Sequence, residues 1–150
     1  MPKGKPTWGT WISADGARIY TACGVTLKVP GNVNVDPCSY GGTLSDVHWV
    51  QHLSEAPQVQ RVVLIPGNGY YNPTGVAANQ DTVLRVHETQ YLGFVSQYEL
   101  PPFPLAGTAT ATAHGRFVFT TPSMDTLYAI VQADPSSGAL NSFAVAKIVP

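Results

Sequence analysis

A chain of 150 residues with 44% hydrophobic residues is long enough to bury about two-thirds of its unfolded surface without metals or dense cross-links. Its net charge is −1, and its 8 Lys and Arg lie scattered, which excludes the basic stripe that nucleic-acid binding needs. No apolar run approaches the roughly 18 residues of a bilayer span, and without the apolar core of a signal peptide no conventional secretion is expected.

Charged residues make up only 11% of the chain, so the surface is built from Ser, Thr, Gln, Asn and small apolar groups. Such a surface suits extended contact with other protein. Gly (14) and Pro (13) punctuate short runs rich in Val, Thr, Tyr, Phe and Ile. That pattern predicts an all-β chain: one domain over 1–150, a β-sandwich, jelly roll or barrel, with a short N-terminal arm of about residues 1–7 and at most one short helix near residues 44–55.

"MPKGKP" holds Lys3 and Lys5, either a soluble tail or an arm that docks on a neighbour. "TWGTWIS" and "ARIYTA" read as a hairpin turning at Ala14-Asp15-Gly16. Trp8 and Trp11, three apart, fall on opposite faces of such a strand. "GVTLKV" and "NVNV" flank Pro30-Gly31-Asn32. A two-residue loop there would set Cys23 opposite Cys38, and a one-residue change of register would remove that pairing. With no secretory signal, two reduced thiols are the favoured state.

"LSDVHWVQHLSEAP" raises the question of a metal site. On a helix, Leu44, Val47, Val50 and Leu53 step by three, Ser45 or Asp46 caps the start, and His48 and His52 sit one turn apart, near enough to share a zinc ion. On a strand, His48 and His52 would share a face with Val50, too far apart to chelate.

"VQRVVLI" (59–65) is nearly continuous in apolar residues, as in a strand buried on both faces. "PGNGYYNPTG" (66–75) must be a surface loop, and "LPPFPL" (100–105) favours an extended path. Tyr70, Tyr71 and Phe103 are therefore either contact residues or rings that cap the core under the loops. In "DTVLRVHETQYLGFVSQYE" (81–99), Leu84, Val86 and Glu88 alternate with Val83, Arg85 and His87. "GTATATAHGRFVFTT" (107–121) sets Thr108, Thr110 and Thr112 against Ala109, Ala111 and Ala113, and puts Phe117 and Phe119 on one side. "LYAIVQA" and "NSFAVAKIV" close the chain as a hairpin around "DPSSG".

Catalytic equipment is sparse. A catalytic zinc ion needs three protein ligands, and beyond His48, His52 and Glu55 only His87 and His114 are available, on separate predicted strands. The metalloprotease pattern needs Glu directly after its first His, where this chain has Trp49. There is no G-x-S-x-G elbow, no phosphate loop in "GNGYYNPTG", and no carboxylate pair spaced for glycoside cleavage. Neither catalytic residue, metal, cofactor nor small-molecule substrate is expected.

The C-terminal sequence has a rhythm. "YLGFVSQYE" leads to "GTATATAHGRFVFTTPSM", then to "DTLYAIVQADPSSGALNSFAVAKIVP". Over residues 91–150 this resembles the small head decoration (cement) proteins of tailed phages, by pattern rather than by identities. The resemblance implies a β-rich virion protein, usually trimeric, that sits on the outer capsid surface and stabilises subunits of the major capsid protein. It also implies that "MPKGKPTWGTW", with Lys3, Lys5, Trp8 and Trp11, is the capsid-binding arm. Two other functions fit the residues: a carbohydrate-binding β-sandwich that stacks Trp and Tyr on sugars, and a small metal-dependent hydrolase built on His48 and His52.

Overall fold

In the computed structural model, residues 9–32, 34, 36–67, 80–139 and 142–150 are described. The first hairpin closes where expected. Asp15 Oδ1 accepts the Ser13 hydroxyl at 2.6 Å and the Ala17 N–H at 2.9 Å, and Gly16 supplies the left-handed residue of the turn (φ +72°). This turn joins β1 (Thr10–Ile12) to β2 (Arg18–Thr21), and β3 (Val25–Lys28) and β4 (Ser39–Thr43) complete a four-stranded antiparallel meander. The β3–β4 connection is longer than a two-residue loop: Lys28 pairs with Ser39 and Leu27 with Tyr40. Loop length sets register, so Cys23 and Cys38 do not face each other. Both thiols are free and exposed.

A second meander contains β5 (Val50–Ala56), β6 (Arg61–Pro66), β7 (Val83–Glu88) and β8 (Phe94–Glu99), in that order. Then come a two-stranded ribbon, β9 (Phe103–Pro104) with β10 (Thr110–Ala111), and a three-stranded meander of β11 (Ala113–Thr120), β12 (Leu127–Ala133) and β13 (Phe143–Ile148). Among the described residues there is no α-helix, only short 3-10 turns. The chain is all-β, and the face-to-face packing of a sandwich is carried to a third layer.

Strand β6 shows how. Residues Val62 to Pro66 are all buried, because alternate side chains enter different cores. Val62 and Leu64 join Tyr20, Leu44, Val47, Val50, Leu53 and Leu92, against the first sheet. Val63 and Ile65 join Leu84, Val86, Val118, Leu127, Ala129 and Val131, against the third. The second sheet is thus the middle layer. Each Val, Leu or Ile so buried contributes about 1.5–3 kcal/mol of transfer free energy. Phe103 belongs to the second of these cores at 6% exposure. Of the two places open to it, its ring takes the core.

Two stretches of periodicity resolve only in the structure. Of the two alternatives open to residues 44–55, no helix forms: residues 44–49 are irregular, with Asp46 at φ +55°, and β5 begins at Val50. Leu44, Val47, Val50 and Leu53 do share one core: Leu44 and Val47 reach it from the irregular segment, and a register shift between Val50 and His52 turns Leu53 to the same side as Val50. An extra residue in a strand moves the next side chain to the other face, so positions three apart point the same way and imitate a helical spacing. The Thr/Ala alternation of 107–113 is likewise not one strand. Gly107 (φ +72°) turns the chain, the Leu105 N–H donates to the Ala109 carbonyl at 3.0 Å, and only Thr110–Ala111 pairs before β11 starts at Ala113. Thr108, Ala109 and Thr110 are exposed, so no core rewards extending them.

Candidate interaction face

The first strands of the three meanders meet along one seam. Strand β11 is an edge strand, and edge strands leave N–H groups unpaired. Side chains of β5 occupy that edge. His52 Nδ1 lies 3.2 Å from the Val118 N and 3.1 Å from its carbonyl oxygen, and Ser54 Oγ accepts the Thr120 N–H at 3.2 Å. On the other side, Glu55 accepts the Ala14 N–H at 2.5 Å and the Tyr20 hydroxyl at 3.4 Å. Burial, together with the Glu55 charge, pushes the Tyr20 phenol up to about 12.

His52 is also the centre of an aromatic run. Its ring stands edge-on to Trp11 (5.9 Å between centroids, 82° between planes), edge-on to Phe117 (5.2 Å) and tilted against Phe119 (5.5 Å). Burial holds His52 below the ordinary histidine value, with the Val118 backbone bond opposing. It is a neutral wedge joining three sheets. His48 lies exposed in the irregular segment, and the pair does not form a chelate. Among the described residues no group of three His, Cys, Asp or Glu side chains is placed to hold a metal ion. Of the residues singled out in the sequence, Trp11 and His52 are brought together, while Lys3, Lys5, Trp8, Tyr70 and Tyr71 lie outside the described residues.

The most charged cluster is structural in form. His114 directs Nδ1 to Asp81 Oδ1 and Nε2 to Asp134 Oδ2, both at 2.8 Å. The Arg116 guanidinium bonds Asp81 Oδ2 at 3.0 Å, and its Nε donates to Gln132 at 2.9 Å. Burial alone would lower the His114 value, but hydrogen bonds and charge from the two carboxylates raise it. Asp134 is held down at about 2 by the Ser136 hydroxyl, then by His114 and the Ser136 N–H. Both imidazole nitrogens are engaged. A cleft of about 390 Å³ between the first two sheets is lined by Asp15, Arg18, Tyr20, Lys28 and Glu55 among others. There Asp15 and Glu55 are already occupied by the backbone bonds described, and Arg18 by the Thr89 carbonyl.

The outer face of the third sheet is different. Register aligns Phe117 with Ile130 and Val145, and Phe119 with Tyr128. Phe117 is 47% exposed, Phe119 48%, Phe143 57% and Val145 70%. The inner face of the same strands presents Val118, Leu127, Ala129, Val131, Ala133 and Ala146, all buried. The bulge at Arg116, between the paired positions Gly115 and Phe117, sets this division. Gly115 is required there: a Cβ on it would stand 2.9 Å from Ile65 Cδ1 and 3.2 Å from the Asp81 carbonyl oxygen. The sequence placed Phe117 and Phe119 on one side, but missed the face. The available signal was that "RFVF", "LYAIV" and "FAVA" are apolar on both faces.

No protein-family model matches the chain, and no curated protein matches it in sequence. Among solved structures, the β-propeller domain of Cps50 (Swd1) from Myceliophteria thermophila is similar at TM-score 0.55 and 12% identity. The likeness is one of fold. It covers 94% of this chain and 39% of that one, so the chain spans about two fifths of the propeller's length. Propellers arrange four-stranded antiparallel meanders face to face around an axis; here two four-stranded meanders and one three-stranded meander pack face to face.

Proposed function

We propose that this chain is a non-catalytic assembly protein whose working surface is the outer face of the third sheet. The observation that carries the reading is the row of Phe117, Phe119, Tyr128, Phe143 and Val145, large apolar groups from three adjacent strands left facing solvent. Contiguous apolar surface of this kind on a soluble protein marks an interaction site. Aromatic anchors are the residues that carry interface energy. The chain's few charges suit the same use, since charges are depleted at the centre of an interface.

The resemblance over residues 91–150 to phage decoration proteins includes this sheet. It suggests a setting: the outer surface of a capsid, with the major capsid protein as partner. A photo-reactive residue at Phe143 and another at the exposed turn residue Ser136, illuminated in an extract of the native source, test the reading. Polypeptide adducts are expected at 143 and not at 136, whether to a second copy of this chain or to a coat subunit. Equal labelling at the two positions, or adducts only to glycans or small molecules, would remove the proposal.

A further inference from the structure

The outer face of the first sheet is also apolar and unpartnered among the described residues. Register places Ile12 opposite Ile19, Ile19 opposite Leu27 and Leu27 opposite Tyr40, one row across four strands with no charged group in it. Ile12 is 70% and Tyr40 67% exposed. Inside the molecule the same packing occurs twice: one face of the second sheet covers the first sheet, and its other face is covered by the third. The two free faces are therefore the two unmatched halves of an interface that the chain already makes.

Building on the reading above, we infer that the outer face of the third sheet takes as its occupant the outer face of the first sheet of a second copy of this chain. Continuity of the stacking is the argument. The third sheet of one copy continues into the first sheet of the next in the same sense as first to second and second to third. Each junction joins unlike faces, and the dimer closes as a two-fold when the second copy returns the contact, so that third-sheet residues of each copy meet first-sheet residues of the other. Two copies supply six meanders, within the range of about four to eight over which face-to-face meanders close into a ring. Three copies would supply nine, outside it, so two copies fit better than the trimer implied by the decoration-protein resemblance. The chemistry matches as well: the Phe and Tyr rings of one face, with Lys147 beside Tyr128 at its edge, meet a row of Ile12, Ile19, Leu27 and Tyr40 that holds no charge.

Light scattering on the full chain tests this, using Val145→Lys and Tyr40→Lys. Both positions are exposed, so the monomer is expected to fold, and circular dichroism checks that it does. The wild-type chain should run at twice its 16.0 kDa mass at high micromolar concentration, and each variant alone should shift toward the monomer. A mixture of the two variants should regain a dimer through one intact interface, the third sheet of the Tyr40→Lys copy on the first sheet of the Val145→Lys copy. A strict monomer, a trimer, or a dimer broken by Val145→Lys but untouched by Tyr40→Lys would overturn the inference. In the last case the third-sheet face would still be an assembly surface, and only its occupant would be wrong. If the wild type is monomeric while the Phe143 photo-adduct to another polypeptide persists, the occupant is a different protein.

Discussion

Strand β12 carries two different surfaces on alternate residues. Leu127, Ala129, Val131 and Ala133 point inward and are buried, while Tyr128, Ile130 and Gln132 point outward. The inward set is small and aliphatic because another sheet lies directly on it. The outward set is larger: Tyr128 is exposed, Ile130 lies between Phe117 and Val145, Gln132 accepts from Arg116 Nε, and no further sheet lies on them among the described residues. Alternation in a half-exposed strand normally puts polar residues on the open face. Apolar residues on both faces therefore separate what the fold needs from what a partner needs, and substitutions on the two faces should behave differently.

The largest difference is expected from truncation. Leu127→Ala, on the covered face at 0% exposure, should cost about 2–5 kcal/mol in denaturant unfolding. Phe143→Ala, on the open face, should leave the monomer within about 0.5 kcal/mol; equal losses would erase the distinction. Gly115→Ala comes next. Its methyl would press on Ile65 and the Asp81 backbone, and overpacking of this kind costs roughly 1–3 kcal/mol. A neutral result in a melt would mean that the sheets are less closely fitted than the distances indicate.

The pH dependence should be smaller, and it divides the histidines. The folded value of His114 is raised above the ordinary 6.5, so the fold favours its protonated form. Its contribution is complete below about pH 6.5 and is lost as pH rises through the folded value. His87 behaves oppositely. It is fully buried, its Nε2 donates to the Ser45 carbonyl at 2.9 Å, and among the described residues its Nδ1 has no partner. Burial lowers its value, so its contribution is present above pH 6.5 and is lost as pH falls from there through the lowered folded value. Melting temperatures measured from about pH 5 to pH 9, a range that brackets the unperturbed histidine value, should decline on the alkaline side in the wild type. His114→Gln should flatten that decline; an unchanged alkaline limb would show that the Asp81–His114–Asp134 cluster carries no proton linkage.

Much of the fold was legible because it is local. The Ala14-Asp15-Gly16 turn, the doubly buried β6 and the hairpin around "DPSSG" are written in adjacent residues. In the last of these, Asp134 accepts the Ser136 N–H at 2.8 Å and Gly138 takes φ +78°. The segment around His48 and His52 was misleading, because a bulge after Val50 gives Val50 and Leu53 the i, i+3 spacing of a helix, and side-chain pattern alone does not tell the two apart. The site was less legible still. Whether Phe117 and Phe119 are covered depends on layers far away in sequence, and the His114 cluster joins residues 33 and 20 positions apart. Exposure is a property of the stack, and alternation alone shows only which residues share a side.

The central claim is that the open face of the third sheet is a contact surface that a second copy of this chain covers. Hydroxyl-radical footprinting of the full chain, at low micromolar and at near-millimolar concentration, measures this directly. Tyr91, 80% exposed and on neither face in question, serves as the internal reference. The account predicts that Phe117, Phe119, Phe143 and Tyr40 become protected at the higher concentration while Tyr91 labels equally at both. Undiminished labelling of Phe117, Phe119 and Phe143 under both conditions would contradict it.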